Sequence, residues 1–279
     1  MNIPLPLPSL RDASVTLENR VAVLTFQRHD VRNALTGTQL VDDIVDTVDW
    51  CNRNDQVSVL VITGDGSAFS AGGNIKEMQE RDGTHRDGPF GGNVYQVQKK
   101  YREGIQRMPL AVYNAELPVI AAINGPAIGA GFDLTCMCDI RIGSSNALLG
   151  ETFVNLGIIP GDGGAWFLQR LIGYQRAAEL TLTGRTINAV EAQELGILLE
   201  VTEPEQLLPR TLEIAHRMAA KPPQALRMTK RLLKAAQRQK LPDFLDTCAL
   251  VQGICHNTED HAEAINAFVE KRDGSYQGR

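Results

Sequence analysis

The sequence predicts an α/β protein, with a sheet buried between helices and an all-helical region after it. Two runs carry the first half of that prediction. Val57 to Gly64 (VSVLVITG) and Pro118 to Ile123 (PVIAAI) are continuous, apolar and bounded by turn residues, as strands covered on both faces are. A change of character after Leu195 carries the second half. Beyond it, Glu205 to Ala220 and Pro223 to Glu270 follow a helical pattern, punctuated by Pro222, Pro223 and Pro242. A boundary near residue 204 follows: residues 1–204 form the α/β core, and residues 205–279 form a helical region that packs on it or on a neighbouring subunit.

Taken in order, MNIPLPLPSL alternates prolines with apolar residues and reads as an extended arm. It has no basic stretch leading into an apolar core, so neither a signal peptide nor a membrane span is expected. Val15 to Leu17 and Val21 to Phe26 read as short strands around a turn at Glu18 to Arg20. Thr36 to about Cys51 reads as a helix with Leu40, Ile44 and Val48 on one face. Glu80 to Asn93, rich in Gly, Asp and Arg and without periodicity, reads as a mobile loop bordering a pocket. Val94 to about Val112 reads as one helix, and Asp139 to Gly143 and Ala147 to Leu149 as further short strands.

Composition narrows the function classes. The 279 residues carry a net charge of −5 and are 43% hydrophobic, which is ordinary for a globular protein and offers no basic face for nucleic acid. Five cysteines, an odd number lying within apolar or helical patterns, fit reduced thiols and a cytoplasmic location rather than a disulfide frame. Neither Cys136/Cys138 nor His256/His261 has zinc-site spacing, so no metal is expected.

Chemistry concentrates between Pro118 and Gly173. Gly129, Ala130 and Gly131 stand where a helix opens, and their small side chains leave backbone N–H groups uncovered at its positively polarised end. Asp133 lies one turn further on and leans back toward them. Such an arrangement offers an oxyanion donor beside an acid/base. Small residues at a helix start also serve close packing. Asp162, before GGAWFLQRL, is by itself best read as a helix N-cap.

Five separated segments, VRNAL, FSAGGNIKEM, PVIAAINGPAIGAGFDLTCMCDIR, LGIIPGDGGAWFLQRLIG and AFVEKR, together resemble the enoyl-CoA hydratase/isomerase, or crotonase, superfamily over nearly the whole chain. The resemblance implies a crotonase-like spiral of ββα units with a C-terminal helical trimerisation region, acting on an acyl-CoA thioester through an enolate. It places the two oxyanion-hole N–H groups at Gly73 and Ala130. It places coenzyme A contacts at Arg32, Ala34 and their neighbours Asn33 and Leu35, at Ala71 and Lys76, and at Phe268 and Lys271 near the C-terminus. Coenzyme A then enters as part of the substrate, with no separate cofactor. Homo-oligomers, as trimers or dimers of trimers, are implied, and neither nucleic acid nor membrane is a partner.

The chain departs from that pattern where hydratases of the family use two glutamates around a water. Asp133 occupies the first position and Phe153, which transfers no proton, the second. Catalytic weight therefore shifts to Asp133 and Asp162, with Glu151 in reserve. An ionised Asp162 at a helix start would suit a base. If both aspartates face one small apolar pocket, repulsion between them raises one pKa. Phe153 and Trp166 are either acyl-pocket walls or plain core. The leading expectation is an enoyl-CoA hydratase. The alternatives are an enoyl- or dienoyl-CoA isomerase, a hydrolase using Asp162 as nucleophile, and a noncatalytic CoA-binding homologue.

Overall fold

A computed structural model describes residues 5–79 and 90–279. Most of the loop read from Glu80 to Asn93 therefore lies outside the described residues. The chain opens with the antiparallel strands β1 (Ala13–Glu18) and β2 (Val21–Phe26), around positive-φ residues Asn19 and Arg20. Helix α1 (Leu40–Arg53) starts four residues later than its pattern suggests, because residues 36–39 are spent in a turn that feeds the site. Strand β3 (Val59–Gly64) follows. A short helix α2 (Ile75–Gln79) stands before the undescribed stretch.

After it, the expected single helix is two, α3 (Val94–Glu103) and α4 (Arg107–Tyr113). They break at Gly104, whose φ of −108° and ψ of −112° fall outside the helical region. Then come β4 (Val119–Ile123), β5 (Ala127–Ile128), α5 (Ala130–Met137), β6 (Ile140–Ser144) and β7 (Leu148–Gly150). The order continues through α6 (Gly164–Ile172), α7 (Tyr174–Thr183), β8 (Ile187–Asn188), α8 (Ala189–Glu194) and β9 (Glu200–Thr202). Four helices close the chain: α9 (Leu207–Ala219), α10 (Pro223–Ala236), α11 (Leu241–His256) and α12 (Glu259–Glu270).

Six strands form the main sheet in the order β1-β2-β3-β4-β6-β9, parallel from β2 onward. Its register sets Val61 against Ile120 and Ile120 against Ile140, so the runs legible in the sequence form its buried centre. One face packs Leu24, Leu60, Ile62 and Ala121 against Ile44, Val48, Met108 and Leu134 from the helices. The other packs Val59, Val61, Ile120 and Ile142 under Leu207, Ala215 and Ala219 of α9. Thus the first helix beyond residue 204 completes the sheet's second layer, and the peripheral part of the C-terminal region begins with α10.

Helix α10 is tied down by buried cations. Arg227 donates to the carbonyls of Cys51, Asn54 and Val57, and Lys230 donates to the Leu117 carbonyl while pairing with Asp139 at 2.7 Å. Helix α11, by contrast, contains no buried residue. Leu241, Leu245, Leu250 and Ile254 on it, with Ile265, Phe268 and Val269 on α12, stand exposed. No helix among the described residues is long and apolar enough to cross a membrane.

A second sheet, β5-β7-β8, positions the site. Strand β5 pairs with β7, setting Ala127 against Leu149, and is bridged by Ser70 on its other side. Three stretches of chain are thereby fixed side by side: 70–73, 127–131 and 149–153.

Candidate active site

Backbone bonds carry that alignment into the site. Ile128 N–H donates to the Ser70 carbonyl at 3.0 Å, and Gly129 N–H to the Gly150 carbonyl at 2.8 Å. Gly129 takes φ 54°, where a side chain would be strained. Gly131 has no room for a side chain, since a Cβ would lie 2.4 Å from the Ser70 carbonyl oxygen. The same close approach brings Gly72 against Ala130, whose N–H nitrogen is 2.9 Å from where a Gly72 Cβ would sit. Gly73 and Ala130 both line a cavity of about 350 Å³. Among the described residues neither N–H has a protein acceptor. Ala130 is the first residue of α5, and its N-cap brings no side chain to it.

Asp162 lines this cavity and Asp133 does not. Asp133 lies behind it, wholly buried on the first turn of α5. Its carboxyl group rests on Gly164: a Cβ there would be 2.1 Å from both oxygens, so only glycine lets α6 approach α5 so closely. The two aspartates are thus brought together in series, within hydrogen-bonding reach of each other, rather than side by side in one pocket. Glu151 also reaches Asp133 and accepts a bond from the Thr181 hydroxyl.

The helix-cap reading of Asp162 is corrected. Gly163 is the N-cap of α6 and makes no side-chain cap, and neither Asp162 oxygen accepts a bond from another residue. With Asp162 only 4% exposed, burial pushes its pKa up, so the ionised form is disfavoured rather than favoured as a helix start would have it. Asp133 is also pushed up, by burial first and by the Asp162 charge second. Neither of its oxygens meets an N–H or O–H donor, so the contact between the two carboxyl groups holds only if they share a proton.

Leu35, Val41, Ile128, Phe153, Leu156 and Ile158 give the rest of the wall an apolar stretch, and the charged residues Asp42, Lys100, Glu103 and Arg107 border the cavity as well, Arg107 pairing with Asp42. Phe153 stands beside the start of α5, its ring 3.7 Å from where a Gly129 Cβ would be. Trp166 lies elsewhere, in an outer groove against Tyr113 and Phe167, with the Arg170 guanidinium 3.7 Å above its ring. Sequence reasoning missed Gln106, which donates to the Gly161 carbonyl at 2.8 Å and holds the segment bearing Asp162. Its helical spacing carried no signal, because its partner lies 55 residues away.

Of the residues assigned to coenzyme A, Leu35 and Ala71 border the cavity. Arg32 is exposed with φ 53°, and Ala34 is buried on the same loop. Asn33 braces that loop, accepting from Arg28 N–H and donating to the carbonyls of Asp65 and Ala68 at 3.0 and 2.9 Å. Lys76, Phe268 and Lys271 are exposed and away from the cavity wall.

A fold of ββα units, paired free N–H groups and a buried carboxyl group on one cavity define a class, and comparison with known proteins agrees. The family model described as "Enoyl-CoA hydratase/isomerase" matches residues 16–279, and the chain belongs to that family. It is 36% identical to the crotonyl-CoA hydratase of Syntrophomonas wolfei over 93% of this chain and 95% of that protein. It is 32% identical to the 2,3-dehydroadipyl-CoA hydratase of Escherichia coli, over 95% and 98%. The crystal structure of an enoyl-CoA hydratase from Bacillus anthracis superimposes with a TM-score of 0.88 at 34% identity, covering 96% of this chain and all of that one.

Proposed function

We propose that this protein is an enoyl-CoA hydratase that adds water across the conjugated double bond of an acyl-CoA thioester. One observation carries the reading: the unpaired N–H groups of Gly73 and Ala130 open on the same cavity as the Asp162 carboxylate. The thioester oxygen accepts from both, and its growing negative charge in the enolate is what they stabilise. One such donor is worth roughly 3 to 4 kcal/mol. Asp162 takes a proton from water as the water oxygen bonds to the β-carbon. The double-bond electrons move to the α-carbon and the thioester oxygen, and the proton held by Asp162 goes to the α-carbon as the enolate collapses. Asp133 steadies Asp162 from behind.

Phe153 favours a second reading. It sets an apolar ring where the resemblance implies a second acid/base in hydratases of the family, and the buried Asp162 carboxyl group on the same cavity suits a shuttle that moves a proton between carbons of an enoyl or dienoyl thioester. Incubation with crotonyl-CoA and a panel of dienoyl-CoA esters separates the two readings. A hydratase gives a product heavier by one water, and an isomerase gives one of unchanged mass. No turnover of any ester overturns both.

The proposal includes coenzyme A bound through Arg32, Ala34, Ala71 and Lys76, with Phe268 and Lys271 acting across a subunit boundary, and no further cofactor. The exposed apolar residues of α11 and α12 support a homo-oligomer, a trimer or a dimer of trimers. Five free thiols support a cytoplasmic setting.

A further inference from the structure

Asp133 is buried against two other carboxyl groups, Asp162 and Glu151, and the chemistry above employs only one of them. Glu151, which follows β7, is fully buried. Its Oε2 accepts from the Thr181 hydroxyl of α7, while its Oε1 meets no donor. Asp133 is within hydrogen-bonding reach of both Asp162 and Glu151. A carboxylate accepts and never donates, so neither contact is a bond unless a proton sits in it.

The groups packed around the cluster do not supply that proton. Cys136, on the same helix as Asp133, is a thiol pushed up to about 12 by burial. Arg141 of β6 spends its guanidinium on the carbonyls of Ile197, Thr135 and Cys138. Among the described residues no three His, Cys, Asp or Glu side chains are spaced to hold a metal ion. A shared proton is what lets these carboxyl groups approach one another.

We infer that Glu151 is a positioning residue for Asp162: it is the second acceptor for the Asp133 proton and takes that hydrogen bond whenever Asp162 has itself been protonated. While Asp162 is ionised, the Asp133 O–H points at it and shares its charge. Once Asp162 has taken a proton from the reacting water, it needs no donor, and the Asp133 O–H turns to Glu151. When Asp162 delivers its proton to the substrate carbon, the O–H swings back. The protons balance: one enters and leaves through Asp162, and one stays on Asp133 throughout. Without Glu151, a buried O–H would lose its charged acceptor at the protonated stage, which is the costly arrangement. Burial, the largest influence on all three carboxyl groups, raises each of them and so favours keeping a proton in the cluster.

This inference rests on Asp162 as the acid/base, and the test separates the two. The pH dependence of kcat/KM with crotonyl-CoA is measured for the wild type, Glu151→Gln and Thr181→Val. Glu151→Gln removes a charge beside Asp133, so the limb belonging to Asp162 moves to lower pH by about one unit. It also lowers kcat by roughly tenfold, with KM unchanged within about twofold, as a weakened proton-transfer group does. Thr181→Val leaves Asp133 as the sole donor to Glu151, drawing that O–H from Asp162 and moving the limb to higher pH. A merely structural Glu151 moves neither limb in these opposite directions.

A folded variant whose limb stays in place overturns the inference, and Thr181→Val alone decides it if Glu151→Gln does not fold. If the wild type turns over no enoyl thioester, it is the proposed reaction that fails. Infrared titration of the protein then decides this point: the wild type shows a protonated-carboxyl stretch at neutral pH that weakens in Glu151→Gln and persists in Thr181→Val, and a wild type without that band refutes the arrangement.

Discussion

At Phe153 an apolar ring stands in the cavity wall, where the family resemblance implies a glutamate. Phe153 and Asp162 share the cavity wall, and the surroundings of Asp162 were only half legible in the sequence. Helical spacing singled out Asp133 and the family resemblance singled out Asp162, and the structure brings the two into contact. Neither signal showed that they stand in series, because that depends on α6 lying against α5 at Gly164. The Gly164→Ala variant tests this packing. Its Cβ would meet the Asp133 oxygens at 2.1 Å, so turnover should fall with a stability loss of about 1 to 3 kcal/mol; normal turnover and melting would contradict the packing.

The buried carboxyl groups also set a pH dependence for stability. Their folded pKa values are raised, so the stability they contribute is fully present below the ordinary carboxylate range and is lost as pH rises through the folded values. Replacing Asp133 with asparagine removes that loss. Thermal melts should show Asp133→Asn gaining on the wild type as pH rises above the ordinary carboxylate range; a difference that stays flat or shrinks contradicts the assignment. Asn33 makes the opposite kind of contribution, with three bonds inside the loop that borders the cavity. Asn33→Ala should lower stability by about 1 to 3 kcal/mol in denaturant unfolding, since two carbonyls and an N–H lose their partner.

At the scale of elements, continuous apolar runs were read correctly as the central strands, because burial on both faces leaves no other pattern. Helix ends were read less well. The turn over residues 36–39 and the break at Gly104 arise from tertiary demands, since both segments bend to line the cavity, and neither leaves a periodic mark. The closing helices show another limit. Leu250 or Phe268 follows a helical pattern whether it faces a core or a neighbour, and only the structure shows α11 and α12 unburied, with Phe268 83% exposed. If that face joins subunits, Phe268→Glu should reduce the mass measured by light scattering, while far-ultraviolet circular dichroism stays unchanged. Undiminished mass would place the subunit contact elsewhere.

For the whole molecule, two sheets divide the work. The large one supplies the core through Val59, Val61, Ile120 and Ile142 beneath α9. The small one, only two or three residues per strand, aligns the chain segments that carry Gly73, Ala130 and Glu151. Such short strands carry little alternation of their own, which is why the alignment was legible only through the resemblance to a family. The central claim is that Asp162, fronting this arrangement, moves the proton that adds to the α-carbon. Crotonyl-CoA turned over in deuterated water tests it most directly. The wild type should give a hydrated product with one deuterium at the α-carbon, and Asp162→Asn should form it at least about 100-fold more slowly. A wild type that leaves crotonyl-CoA unchanged, or an Asp162→Asn variant of undiminished rate, would contradict the account.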